Sequence, residues 1–264
     1  MCFAFDALPP DLPADLVVPA MAGGAAAEVR ELTSADGTRF SAALAEAPEG
    51  GGGPGVVILP DIRGLYRFYV ELAERFVQAG HHAIAIDYFG RTAGTGERDN
   101  DWDYWPHVAQ TRVEQVQADI AAAIATLRER TGASSIVTVG FCFGGTQSFM
   151  AATSAELALD GAVGFYGSLV PRREGAPEPI EHAPETRCPV LGLFGGADEN
   201  ILPEHIEAYE QGLREAGVEH EIVTYPGAPH SFFDRSFSEH AEACDDAWRR
   251  VLGFLQGVGT SLAR

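Results

Sequence analysis

Residues Ile136–Gly145 read I-V-T-V-G-F-C-F-G-G, an apolar strand running directly into a cysteine set among glycines. A strand that ends in a sharp turn and passes at once into a helix lifts the residue at the turn above the sheet edge, open to a ligand. Gly140 and Gly144 stand two residues either side of Cys142, where a side chain would collide with the folded-back chain. The pattern predicts a nucleophile elbow with Cys142 at its tip. A thiol is far more acidic than the serine hydroxyl usual at such a turn, and its thiolate is the reactive species. The competing reading is a buried cysteine in a glycine-rich turn, since cysteine is a common core residue. The residues downstream decide between them.

Working outward, Val56–Leu59 is a continuous apolar run, the mark of a strand covered on both faces in a parallel sheet. Phe68–Gln78 places Val70, Leu72, Ala73, Phe76 and Val77 at helical spacing and ends at Ala79-Gly80. Ala83–Ile86 is the next strand, so the unit is a β-α-β crossover. Glu28–Thr33 and Thr38–Leu44 flank Ala35-Asp36-Gly37 as a hairpin. Residues 1–28, rich in Ala and Pro, predict an irregular surface arm, and 29–264 read as a single domain. Glu49–Gly55 is a glycine-rich connector without the Lys-Ser/Thr of a phosphate loop. Asp87–Asp103 is too polar and glycine-rich for a regular element, and loops of that length are usually functional.

Val108–Arg130 predicts one long helix, and Gly145–Ala155 the helix that the elbow opens. Gly161–Tyr166, Val190–Phe194 and His220–Tyr225 predict strands, and Ile201–Ala216 and His240–Gln256 helices. Pro171–Pro189, with five prolines, predicts a surface excursion without a helix. The alternation indicates an α/β fold, a mostly parallel sheet of about eight strands with helices on both faces. Ligands in such sheets bind at the carboxyl ends of the strands.

The 18 basic residues are all Arg, and against 38 Asp and Glu they leave a formal charge of −20. That field repels nucleic acid and anionic membranes, so a small molecule is the expected partner. An anionic substrate would need a local cluster of arginines. The first ten residues lack a secretory pattern, and no apolar stretch reaches the length of a membrane span. Cys2, Cys142, Cys188 and Cys244 form no C-x-x-C pair, so reduced thiols in a cytoplasmic monomer or homodimer are expected. Cys188 and Cys244 read as packing residues. The histidines lack metal-ligand spacing, which predicts no metal site.

A cysteine of ordinary pKa near 8.5 is only about 3% ionised at neutral pH, so Cys142 needs a base. Gly195-Gly196-Ala197-Asp198-Glu199 follows one predicted strand and supplies a carboxylate, Asp198, with Glu199 as its neighbouring alternative. Gly227-Ala228-Pro229-His230-Ser231-Phe232 follows another and supplies His230. The chain order nucleophile, acid, histidine is that of α/β-hydrolases. In that arrangement Cys142 attacks a carbonyl, His230 carries the proton and Asp198 orients the imidazole. The N–H groups of Phe143, after the nucleophile, and Ile62, after the early strand, are the expected oxyanion donors.

With G-F-C-F-G-G, G-A-D, P-H-S-F and D-Y-F-G-R in these places, the sequence resembles the dienelactone hydrolases over roughly Val56 to Leu255. The resemblance implies hydrolysis of an enol-lactone or related ester through an acyl-thiol intermediate, with no cofactor. It also implies an acidic residue that controls the resting thiol. That position falls on Asp61, where the family typically has Glu. Arginines that hold a substrate carboxylate fall on Arg91 and, displaced by one from Asp234, on Arg235. Tyr66, Tyr88, Trp102, Tyr104 and Trp105 are candidates to wall the pocket, Tyr88 among them as a substrate contact. The alternative is a non-catalytic ligand-binding or thiol-sensing protein on the same fold.

Overall fold

The computed structural model describes residues 7–21, 26–48, 51–96, 98–99, 101–235 and 238–261. Cys2 and the first two residues of the glycine-rich connector, Glu49 and Gly50, lie outside them. The stretch quoted above is central to an eight-stranded sheet. Its strands are β1 (Glu28–Thr33), β2 (Arg39–Ala45), β3 (Gly55–Leu59), β4 (Ala83–Ile86), β5 (Ile136–Phe141), β6 (Gly161–Phe165), β7 (Val190–Gly195) and β8 (His220–Tyr225). The spatial order is β1-β2-β4-β3-β5-β6-β7-β8. The β1–β2 and β2–β4 pairs are antiparallel and the others parallel.

The helices are α1 (Arg67–Gln78), α2 (Gly90–Ala93), α3 (Trp105–Gln110), α4 (Val113–Thr131), α5 (Phe143–Ala151), α6 (Pro179–His182), α7 (Pro203–Ala216) and α8 (Ala241–Ser261). Every residue of β3 and β5 is buried, as a sheet covered on both faces requires. Alternate side chains of β3 feed two cores. Val56 and Ile58 pack with Phe76 of α1 and Trp248 of α8, while Val57 and Leu59 pack with Ile120, Ile124 and Leu127 of α4.

The structure departs from the sequence reading at three connections. The helix expected over Val108–Arg130 is two helices, because Thr111 and Arg112 adopt extended backbone between α3 and α4. The Arg173 guanidinium donates to the carbonyls of Val108 (2.9 Å) and Thr111 (3.2 Å). A side chain more than sixty positions away thus satisfies carbonyls that a continuous helix would have used. The proline-rich excursion contains a helical turn after all, α6, since Pro179 sits at a first-turn position where its missing N–H is no loss. Within Asp87–Asp103, α2 forms a single turn. Within the N-terminal arm, the described residues 7–21 hold only two short 3-10 turns, Ala14–Leu16 and Pro19–Met21, and are not loose: Ala7, Leu12 and Met21 are buried, and Trp248 Nε1–H donates to the Pro10 carbonyl at 3.2 Å.

Candidate active site

Cys142 closes β5 with φ 53° and ψ −113°, and α5 begins at the next residue. A positive φ at a non-glycine residue is strained backbone that persists only where its surroundings hold it. The Cys142 N–H donates to the Phe165 carbonyl at 3.0 Å, and its own carbonyl accepts from Thr146 N–H at 3.1 Å. A Cβ on Gly140 would lie 2.0 Å from the Gly144 carbonyl oxygen, and one on Gly144 would lie 2.0 Å from that of Leu59. The elbow therefore requires glycine at both positions. Cys142 is half-buried. Cys188 and Cys244 are buried, and burial pushes each of their thiols up to about 12. They stay protonated at neutral pH, which suits packing and not chemistry.

Asp198 and His230 follow β7 and β8. A Cβ on Gly195 would lie 2.5 Å from the Ala228 carbonyl oxygen, so only a glycine there lets the two loops approach. His230 Nδ1 lies 2.5 Å from Asp198 Oδ2, and Asp198 Oδ1 accepts the Asn200 N–H at 2.9 Å. Burial opposes ionisation of Asp198, but the hydrogen bonds from His230 and Asn200 outweigh it and hold the carboxyl below its ordinary value. Glu199, the alternative acid, is exposed. The Tyr166 ring packs 5.0 Å from the His230 ring. Cys142, Tyr166 and Ser231, all in this neighbourhood, account for three of the four positive-φ non-glycine residues described.

Cys142 and His230 open onto a cavity of about 580 Å³ that Ile62 and Phe143 also line. Among the described residues, neither the Ile62 nor the Phe143 N–H donates to a backbone carbonyl. The loop that carries Ile62 is tightly held. Asp61, fully buried, accepts Arg63 Nη2–H at 2.9 Å and the Arg63 backbone N–H at 2.9 Å. Tyr66 Oη–H donates to the same carboxylate at 3.2 Å, and Asp61 N–H donates to Tyr69 Oη at 2.8 Å. Tyr88 is buried beneath this loop, where its hydroxyl donates to the Pro60 carbonyl and its ring packs 5.4 Å from Phe143. A second concavity, about 850 Å³, lies by the amino ends of β7 and β8 at Val190 and His220, away from Cys142.

The structure does not bring every expected residue to the cavity. Arg91 is bound by Asp36 (2.8 Å) and Asp119 (2.5 Å), and Arg235 by Asp11 (3.2 Å) and Glu71 (3.9 Å). Neither lines the cavity, nor do Tyr66, Tyr88 and Trp102, whereas Tyr104 and Trp105 do. Sequence reasoning passed over Arg172, Arg173 and Asn200, which line it as well. The signal was available, because all three follow strands at their carboxyl ends.

The placement of Arg91 has a consequence for stability. Asp119 is fully buried, and burial pushes its carboxyl up to about 6 despite the hydrogen bonds from Arg91 and Ser34. An acid raised in the folded state binds its proton more tightly there than in the unfolded chain, so stability falls as pH rises from the ordinary value toward the raised one. Removing Arg91 leaves a buried carboxylate without its cation. Arg91→Ala is expected to lower unfolding free energy by roughly 3 kcal/mol at pH near 8. The loss should be smaller at pH near 5, where Asp119 takes up a proton. Urea titrations at the two pH values check this, and a loss independent of pH would contradict it.

A dienelactone hydrolase family model matches residues 40–259. A Yersinia pestis protein named "Putative carboxymethylenebutenolidase" is 32% identical over 214 residues, covering 79% of each chain. An Escherichia coli K12 protein of the same name is 31% identical over 216 residues, covering 78% of each. The solved structure of a "Putative Dienelactone Hydrolase" from Klebsiella pneumoniae superposes with a TM-score of 0.76 at 29% identity, over 88% of this chain and 99% of that one. A Mycobacterium tuberculosis puromycin-hydrolyzing peptidase shares the fold, with a TM-score of 0.72 at 20% identity over 92% of this chain and 41% of its own. With the elbow, the paired loops after β7 and β8 and a family match across most of its length, the chain belongs to the dienelactone hydrolase family, and with it to the hydrolases that act on ester bonds.

Proposed function

We propose that the protein cleaves small lactones or carboxylic esters through a Cys142–His230–Asp198 triad and an acyl-thiol intermediate, with no cofactor. The 2.5 Å contact between His230 and Asp198, in a loop pair that opens onto the same cavity as Cys142, is the observation that carries it. His230 takes the Cys142 proton, and the thiolate attacks the acyl carbon while the Ile62 and Phe143 N–H groups receive the developing oxyanion. The tetrahedral species collapses to a thioester and expels the alkoxide, which takes the proton from His230. Water, deprotonated by His230, then attacks the thioester, and the carboxylic acid leaves as Cys142 regains its proton. Chemistry that depends on a reduced thiol fits a cytoplasmic enzyme.

The carboxylate of Asp61 is already engaged by Arg63 and Tyr66. This supports a positioning role for Asp61, holding the Ile62 N–H in place, over direct control of the thiol. One experiment addresses the triad and Asp61 together. Mixing the protein with p-nitrophenyl acetate should give a burst of one nitrophenolate per chain and an acetyl adduct on the peptide bearing Cys142. Asp61→Asn should lower kcat about tenfold or more while leaving the iodoacetamide rate of Cys142 unchanged. A faster alkylation in Asp61→Asn would return Asp61 to thiol control. Alkylation of Cys142 without any ester turnover would favour the ligand-binding or thiol-sensing reading.

A further inference from the structure

The loop that carries His230 is held in a conformation its own residues do not favour. Ser231, the next residue, has φ 60°, a left-handed backbone that a non-glycine residue keeps only where its surroundings impose it. Beyond Ser231 the chain is anchored repeatedly. Phe232 and Phe233 are buried, and the Phe233 ring packs 4.7 Å from Phe165, whose carbonyl accepts the Cys142 N–H. The Phe232 carbonyl takes Cys244 Sγ–H at 3.4 Å. The core of the domain supplies those anchors. The last one comes from the opposite end of the chain, where the Leu8 carbonyl accepts the Arg235 N–H at 3.1 Å.

The N-terminal arm is itself firmly docked. Leu12 and Met21 are buried in the same core as Phe76, Phe233 and Trp248. The Trp248 ring, whose Nε1–H meets the Pro10 carbonyl, packs 5.3 Å from Phe233 and 5.3 Å from Phe76. Val18 N–H donates to the Gln78 carbonyl at 2.9 Å. Ion pairs border this seam, Asp11 with Arg75 (2.8 Å) and Arg235 (3.2 Å), and Asp15 with Arg249 (2.6 Å). Both acids are exposed, and exposed pairs hold little by themselves, so the buried apolar contacts and backbone bonds carry the docking. The contacts run from the arm through Trp248 to Phe233, and from Phe233 through Phe165 to the elbow. The arm precedes residues 40–259, which the family model matches.

Building on the hydrolase reading above, we infer that the N-terminal arm is a strap that positions His230, with Leu8 and Leu12 as its positioning residues. Leu12 seats the strap in the core. The Leu8 carbonyl, upstream of it, fixes the exit of the histidine loop at Arg235 and so keeps Ser231 in its left-handed turn. With the arm undocked, the Arg235 N–H loses that acceptor and Ser231 relaxes toward an ordinary backbone. The imidazole then leaves its place between Cys142 and Asp198, and a small misplacement of a proton carrier is costly in rate. Ester binding is spared, because among the described residues none of the arm lines the cavity.

Leu12→Asp in the full chain tests the strap, since a charge at that buried position cannot stay in the core and undocks the arm. With p-nitrophenyl acetate its kcat should fall about tenfold while KM stays within about twofold. Leu12→Met, apolar and of similar volume, should keep the parent kcat. Two readouts need no turnover. Amide hydrogen exchange at Arg235 should be at least about tenfold faster in Leu12→Asp than in the parent, together with residues 7–21, while β5 keeps its protection. Iodoacetamide should label Cys142 more slowly at neutral pH once the imidazole is displaced. Should Leu12→Asp not fold, Leu12→Ala, which leaves a cavity and no charge, should show the kcat and exchange changes at about threefold. Faster exchange confined to the arm, or an undocked arm with the parent kcat and labelling rate, overturns the inference. Faster exchange throughout the sheet in Leu12→Ala overturns it too, by making the arm a general fastening. A parent that hydrolyses no ester counts against the hydrolase chemistry alone, and exchange and labelling then decide the strap.

Discussion

Replacing Cys142 by Ala is expected to lower ester turnover by at least about a thousandfold while the protein remains folded. The substitution removes the sulfur that would form the acyl bond, and neither His230 nor the Ile62 and Phe143 amides can supply another nucleophile of that strength. Its structural cost should be small, because Cys142 is only half-buried and alanine tolerates the same backbone. The strain at φ 53° stays in place with alanine and disappears with glycine. Cys142→Gly should therefore be equally inactive yet more stable than Cys142→Ala, by about 1 kcal/mol once the flexibility of glycine is set against the strain relieved. Steady-state kinetics with urea titrations on the three proteins check both statements. Substantial turnover in either variant would remove Cys142 from the chemistry, and a less stable glycine variant would show that the turn is not strained.

The elbow was legible in the sequence because it is local. Gly140, Cys142 and Gly144 are fixed by backbone contacts within a few residues and with the adjoining strands β3 and β6, and the tight turn these contacts enclose leaves a short, regular pattern. The buried strands were legible for a related reason, since a run such as Val56–Leu59 has to be apolar throughout to be covered on both sides. What escaped was set by long-range contacts. Nothing in Val108–Arg130 announces that Arg173 will take its carbonyls and break the helix at Thr111, so the wall formed by Tyr104, Trp105 and Val108 was not foreseen as a unit. Arg91 follows a strand in a motif that carries a resemblance, yet Asp36 and Asp119 arrive from the hairpin turn and from α4 to bind it. Position along the chain shows which charges are near a strand end, but not which of them have already met a partner.

That last distinction governs Asp198, whose partners are known and whose replacement should have the second large effect. Its two oxygens serve different donors, Oδ2 facing His230 Nδ1 and Oδ1 accepting the Asn200 N–H. Asn at this position has one oxygen and one NH2 group and cannot serve both. If its oxygen keeps the Asn200 N–H, the NH2 faces Nδ1 and forces the imidazole into the tautomer protonated on Nε2, which cannot accept the thiol proton. If the amide flips, the imidazole is held correctly but two N–H donors oppose each other in a buried site, at a cost of roughly 1–3 kcal/mol. Either way the charge that stabilises the imidazolium is gone. Asp198→Asn should lower kcat/KM by about a hundredfold to ten-thousandfold. In the parent the lowered pKa of Asp198 keeps its charge, and the stability that charge contributes, at any pH above the ordinary carboxylate range, and both are lost only as pH falls through the lowered value. The variant lacks that contribution throughout, so its thiolate absorbance at neutral pH should fall along with its turnover. Equal thiolate content and turnover in the two proteins would show that the 2.5 Å contact is structural and that His230 acts without it.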